Sequence, residues 1–266
     1  MLKKTLLAIA GVVLAVGLAA CGQKTSKPDS SSGVSSELVT KGTLTIGLEG
    51  TYQPYSYHKD GKLTGFEVEL GKQVAKQMGL KPVFVETKWD SLIAGLDVNK
   101  YDLILNNVAK TPERAAKYAF TTTYTSGKSQ LAVKKNNTTI KSINDIKGKK
   151  MAQSVTSNNA ANVKQLGATI VPVDGFAQSV ALIEQGRADG TVNDAASFYS
   201  YLQQKPNADI RLISVGDAIT PTPARGILEK KDTALKTAVN KALKTLKTNG
   251  TTAKLSKQFF GGDVTK

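Results

Sequence analysis

Residues 169–193, TIVPVDGFAQSVALIEQGRADGTVN, read as a strand, a helix and a second strand. Thr169 to Val173 is rich in β-branched residues, Phe176 to Gln185 is helical with Gly186 behind it, and Thr191 to Asn193 is extended again. A helix between two strands returns the chain to the same end of the sheet, so such a unit lays its strands parallel. The same order recurs upstream. Thr43 to Leu48 and Pro82 to Val85 flank Phe66, Leu70, Val74 and Met78, which repeat every four residues and end at Gly79. Between them, Tyr52, Tyr55 and Tyr57 lead into Asp60-Gly61, a hairpin turn. Asp90 is placed to cap a helix carrying Leu92, Ile93 and Leu96, Tyr101 to Leu105 is a buried strand, and Thr111-Pro112-Glu113 opens a short helix. Strands at Ser129 to Val133, Lys150 to Gln153, Ile210 to Val215 and Gly226 to Leu228 alternate with helices from Ser142 to near Gly148 and after Ser157. A long helix with Leu235, Val239, Ala242, Leu243 and Leu246 on one face follows. The expectation is an α/β fold with largely parallel sheet, divided into two small lobes within about 220 folded residues. A cleft between the lobes would collect the loops that follow the strands.

The 266 residues are 40% hydrophobic and 21% charged, enough to bury one or two cores. Lys and Arg number 36 against 21 Asp and Glu, a net +15 that points to anionic partners or surroundings. One Cys and one His leave zinc clusters and Cys/His nucleophiles without their ligands and bases, so neither a metal, a cofactor nor hydrolase chemistry is expected. His58, between Tyr57 and Lys59, reads as an exposed hairpin residue. Lys236, Lys241, Lys244 and Lys247 read as the solvated face of the long helix. No aromatic or arginine residues interleave with them, so neither a nucleic-acid nor a membrane patch is expected there.

Lys3 and Lys4 followed by an apolar run from Leu6 to Ala20 have the form of an export signal, too short to span a bilayer comfortably. Its removal would lower the charge to +13 through loss of Lys3 and Lys4. Leu18-Ala19-Ala20-Cys21-Gly22 resembles a bacterial lipobox, which implies a lipidated, palmitate-bearing Cys21; a plain secretory signal with an incidental cysteine is the alternative. Gln23 to Ser36, with Ser30, Ser31, Ser32, Ser35 and Ser36, reads as a flexible tether.

Several motifs occur in one order from Leu44 to the C-terminus. They are Gly47-Leu-Glu-Gly-Thr-Tyr-Gln-Pro-Tyr55, Asp60-Gly-Lys-Leu-Thr-Gly-Phe-Glu67, Trp89-Asp90, Asn106 to Arg114, Gly186-Arg-Ala-Asp189 and Phe260-Gly-Gly-Asp-Val-Thr-Lys266. Together they resemble the polar amino-acid solute-binding proteins of ABC importers, most nearly the cystine-binding branch. The resemblance implies a type II periplasmic-binding-protein fold with two lobes joined by two crossing segments, near Tyr124 to Gln130 and Asp217 to Arg225. The implied division is a signal at 1–20, anchor and tether at 21–41, one lobe from 42–126 with 224–266, and the other from 127–223. It also implies a monomeric lipoprotein on the outer face of the bacterial membrane, with no enzymatic activity. That protein would capture an amino acid, cystine being favoured, and deliver it to a permease.

By the same resemblance Arg114 clamps the α-carboxylate of the ligand and Asp194 receives its α-ammonium. Ser157 and Asn158 offer backbone N–H groups at a helix start, and Tyr52 and Trp89 wall the ligand. Glu49 meets a second ammonium, and Asn106 and Asn107 supply amide contacts. Ala109 departs from the pattern, because relatives carry Ser or Thr there; the missing hydroxyl would cost about 0.5 to 1.5 kcal/mol. Read alone, Arg114 is an exposed helix arginine, Asp194 a helix cap, and Tyr52 and Trp89 core residues. The folded region has no thiol, which suits a disulfide-bearing ligand. Two other functions compete: a surface adhesin that holds acidic glycans or wall polymers through the basic surface, and an enzyme using Glu49 as an acid, for which no partner base is evident.

Overall fold

The computed structural model describes residues 30–266, so the export segment, Cys21 and the start of the tether lie outside the described residues. The first element is helix α1 (Ser30–Glu37), where composition predicts flexible chain. Val34 and Leu38 pack against the main core, and the Glu37 carboxylate accepts from Ala234 N at 3.2 Å and Leu235 N at 2.7 Å. A carboxylate at an exposed helix start meets unpaired N–H groups and the positive end of the helix dipole. That docking surface is distant in sequence, so composition did not reveal it.

The chain then forms β1 (Thr43–Leu48), the hairpin β2 (Tyr57–Lys59) and β3 (Lys62–Thr64), α2 (Phe66–Gln77) and β4 (Lys81–Glu86). After α3 (Trp89–Leu92) come β5 (Leu103–Ala109), α4 (Pro112–Lys117) and β6 (Tyr118–Thr125). The second lobe holds β7 (Ser129–Lys134), β8 (Lys150–Gln153), α5 (Asn158–Gln165), β9 (Thr169–Pro172), α6 (Phe176–Glu184), β10 (Gly190–Asp194), α7 (Ala195–Gln204) and β11 (Ile210–Ser214). The chain returns through β12 (Ala224–Glu229) and ends in α8 (Thr233–Thr248) and α9 (Thr251–Phe260). The two main sheets have strand orders β4-β1-β5-β12-β6 and β11-β7-β10-β8-β9.

The sheets are less parallel than expected. β1 runs parallel to β4 and β5, and β8 parallel to β9 and β10, because helices link these strands within a lobe. β12 runs antiparallel to β5 and β6, and β7 antiparallel to β10 and β11. β7 and β12 enter from the opposite lobe, so no local helix fixes their direction. The two crossings touch at Gly127, where a Cβ would lie 2.5 Å from the carbonyl oxygen of Thr222.

Local chemistry explains most elements. Asp60 and Gly61 take φ of 51° and 72°, as a two-residue hairpin turn requires. The apolar face of α2 is buried and Gly79 follows it at φ 69°. Two expectations are corrected. Ser142 caps only a single 3-10 turn, Ile143–Ile146, which ends where Lys147 leaves the helical region at ψ 126° and Gly148 follows left-handed at φ 72°. Asp90 sits inside the first turn of α3 rather than capping it, because the helix begins one residue earlier at Trp89. Among the described residues, no helix is long and apolar enough to cross a membrane.

Candidate functional site

A cleft of about 710 Å³ lies where the ends of β1 and β5 face those of β8 and β10. Glu49, Tyr52, Trp89, Asn106, Asn107, Ser157, Asn158 and Asp194 all stand on its wall.

Glu49 follows β1 directly. Its backbone N donates to Asn106 Oδ1 at 2.8 Å, and Asn106 Nδ2 returns a bond to Glu49 Oε2 at 2.6 Å. This reciprocal pair fixes the carboxylate. Burial pushes its pKa up to about 7, against the opposing pull of the Asn106 bond. Asn107 is left-handed at φ 48°, which aims its Nδ2 at Tyr52 Oη, 3.4 Å away. The Tyr52 hydroxyl donates to Asn193 Oδ1 of the other lobe at 2.6 Å, and its ring stacks on Tyr55 with centroids 5.1 Å apart. Tyr52 and Trp89 are only 9% and 8% exposed, so each is both a core residue and a wall of the cleft.

Arg114 is not an exposed helix arginine. Thr111 Oγ1 accepts from its backbone N at 3.2 Å and starts α4, and the side chain turns inward to 9% exposure. Nη1 donates to the Ala109 carbonyl and Nη2 to the Thr156 carbonyl, each at 3.0 Å, while Cζ lies 5.3 Å from the Trp89 ring centroid. No described carboxylate forms an ion pair with it, and burial lowers its pKa to about 10. The guanidinium stands just behind the wall, beside Trp89 and next to the Ser157 loop. Ala109 likewise lies behind the wall and takes part through its carbonyl. Its side chain does not line the cleft, and neither does that of Arg114.

Asp194 fills both of the roles open to it. Its Oδ1 accepts from Ala196 N at 2.9 Å, capping α7, and from the Tyr55 hydroxyl at 2.8 Å. The carboxylate is also on the cleft wall, where burial raises its pKa against those bonds. Ser157 Oγ accepts from Ala160 N at 3.0 Å and caps α5, so the start of that helix, with Asn158, opens onto the cleft.

The lobes are closed on one another. Besides the Tyr52–Asn193, Tyr55–Asp194 and Arg114–Thr156 bonds, Asp90 Oδ1 accepts from Thr156 Oγ1 at 2.8 Å, and Lys88 Nζ pairs with Asp174 Oδ2 at 2.8 Å. The residue expected to cap a helix, Asp90, is therefore a bridge between lobes.

Sequence reading missed Gln153, Phe176 and Asn193 on the wall. Gln153 ends β8, Phe176 starts α6 and Asn193 precedes Asp194 in β10, and position at a strand end or helix start was the available signal. It also missed Glu67, which is wholly buried beneath the site. Glu67 Oε1 accepts from Asn107 N at 2.6 Å and from the Tyr124 hydroxyl, whereas Oε2 has no partner. Burial raises its pKa from 4.5 to about 7. The folded state therefore holds this proton between pH 4.5 and about 7, and the unfolded chain does not. Stability from this group is complete below pH 4.5 and is lost as the pH rises through about 7. By scanning calorimetry the melting temperature of the ligand-free protein should fall between pH 5 and pH 8, and Glu67→Gln should flatten that fall; equal slopes would contradict this account.

Comparison with known proteins places residues 44–262 in a match to the bacterial extracellular solute-binding proteins, family 3. The L-cystine-binding protein TcyA of Bacillus subtilis (strain 168) is 42% identical over 272 residues, covering 100% of both chains. The unliganded open structure of the L-cystine solute receptor of Neisseria gonorrhoeae is 41% identical, covering 88% of this chain and 98% of its own, with TM-score 0.59. An ancestral arginine-binding protein bound to arginine is 32% identical, covering 83% and 99%, with TM-score 0.78. The better fit to the less identical but ligand-bound structure accords with the bonds that close the cleft here. The lobes and the cleft have the type II architecture implied by the sequence motifs.

Proposed function

The chain belongs to the bacterial extracellular solute-binding proteins, family 3, and from that premise we propose that it captures L-cystine in the interlobe cleft and hands it to the permease of an ABC importer. One observation carries the reading: a buried guanidinium with no described carboxylate partner stands behind the cleft wall, against the Trp89 ring, and two acids lie on that wall. A buried unpaired charge is costly, and an anionic ligand group offsets that cost. Arg114, with donors left over from its two carbonyl bonds, takes one α-carboxylate of the ligand, helped by the backbone N–H of Asn158 at the start of α5, while the Ser157 N–H is held by the Ser154 carbonyl at 3.0 Å. Asp194 takes the α-ammonium on the same end. Cystine repeats that zwitterion at its far end, and Glu49, held by Asn106, meets the second ammonium. Tyr52 and Trp89 enclose the apolar middle. The similarity to TcyA along the whole chain supports the same ligand.

No chemistry is performed on the ligand, because Glu49 is paired with an amide rather than with a second acid or a base. Cys21 anchors the exported monomer to the outer face of the membrane. A thermal-shift screen of amino acids and cystine tests the ligand. Ligand at a hundredfold excess over Kd stabilises the native state by about 2.7 kcal/mol, so cystine should raise the melting temperature and also change Trp89 fluorescence. A shift with arginine and none with cystine would reassign the cleft to a cationic amino acid.

A further inference from the structure

The family relationship leaves the last two helices without a role, and they carry an unusual charge pattern. From Ala234 to Gly262 there are six lysines, Lys236, Lys241, Lys244, Lys247, Lys254 and Lys257, and no aspartate or glutamate. Five of these, all except Lys236, are exposed, and none of the six forms an ion pair with a described residue. Lys241, Lys244 and Lys247 line a groove of about 1000 Å³ between α8 and β6. Lysines that only solubilise a helix are commonly interleaved with acids at helical spacing. Ammonium groups without acidic partners, gathered along one groove, form instead a receptor for phosphate oxygens.

We propose that the α8 face, with this groove at its centre, lies on the membrane and binds the phosphate groups of anionic phospholipids. The path of the chain selects a bilayer over other polyanions. This step rests on the lipid anchor at Cys21. The nine residues from Cys21 to Ser30 reach about 30 Å at full extension. Helix α1 then docks at the first turn of α8, where Glu37 caps Ala234 and Leu235. The groove lysines lie about 10 to 20 Å further along α8, so the tether holds them within reach of the headgroups. A dissolved or wall-bound polymer would not need the tether to emerge on this side. Resting on the bilayer would fix the orientation of the protein relative to a permease, which a single lipid chain leaves free.

The test is lysine acetylation, read by mass spectrometry, of the full lipidated protein in nanodiscs of phosphatidylglycerol or phosphatidylcholine. Lys241, Lys244 and Lys247 should react on the order of fivefold more slowly in phosphatidylglycerol, the equivalent of a surface attraction for each lysine. The protection should vanish in high salt, and Lys59 and Lys62 in the β2–β3 hairpin should be unaffected. Equal rates in the two lipids would overturn the proposal. Protection by a soluble wall polymer or inorganic phosphate in phosphatidylcholine discs, with none from phosphatidylglycerol, would overturn it in favour of that anion. Co-elution with phosphatidylglycerol discs but not phosphatidylcholine discs would remove the anchor and keep the basic face, whereas co-elution with neither would remove both.

Discussion

Arg114→Ala should lose nearly all ligand affinity, with Kd rising by a factor equivalent to about 2 to 5 kcal/mol, the range for truncating one partner of a desolvated charge pair. The native fold should tolerate the change. Nothing anionic pairs with the guanidinium, so its removal leaves no carboxylate unpaired, although two charge-assisted bonds to the Ala109 and Thr156 carbonyls are lost. Removing a buried charge that has no counter-ion also relieves a desolvation cost, which offsets those losses. The expected signature is a near-unchanged melting temperature without ligand and no further rise when ligand is added. Arg114→Lys separates charge from geometry. An ammonium keeps the sign but cannot present two parallel donors while still holding both carbonyls, so it should recover only part of the affinity. Titration calorimetry reads both variants, and a Kd within twofold of wild type for Arg114→Ala would end the assignment of the carboxylate end.

What could be read in the sequence was chemistry that acts over a few residues. Thr111-Pro112 starts α4, Ser157 starts α5, Asp60-Gly61 turns a hairpin, and each does so with bonds formed nearby. Most residues of the cleft wall were legible for a related reason. Glu49, Asn106, Asn107 and Asp194 lie on or just after strands whose ends face the cleft, and Trp89, Ser157 and Asn158 lie at helix starts, so local motifs place them on its wall. Contacts supplied from a distance were not legible. Asp90 looked like a cap because Thr156, its actual partner, is 66 positions away in the other lobe. The helix at Ser30–Glu37 looked like tether because the N–H groups it satisfies belong to α8. Glu67 appeared only as the end of a motif, yet it is buried against Asn107 and Tyr124 and holds its proton up to about pH 7. Ala109 was judged by the hydroxyl it lacks, although the structure uses its carbonyl.

Asp194→Asn distinguishes the two roles that one side chain fills. As a cap, Asn equals Asp, since either can accept the Ala196 N–H and the Tyr55 hydroxyl through Oδ1. As the counter-charge for an ammonium, Asn fails, because it offers a dipole where the ligand brings a full charge into a desolvated cleft. The variant should therefore keep its ligand-free melting temperature and lose affinity equivalent to about 2 to 5 kcal/mol. Asp194→Ala removes both functions, so it should bind as weakly as Asp194→Asn and also unfold more easily by about 1 kcal/mol, the usual loss for an N-cap. If Asp194→Asn bound normally while Asp194→Ala were merely less stable, Asp194 would be a cap alone, and the ammonium would be met elsewhere on the wall. Glu49 is then the remaining acid, and its reciprocal pair with Asn106 would have to open for the ligand. Affinity would accordingly fall as the pH drops below about 7, where Glu49 becomes protonated.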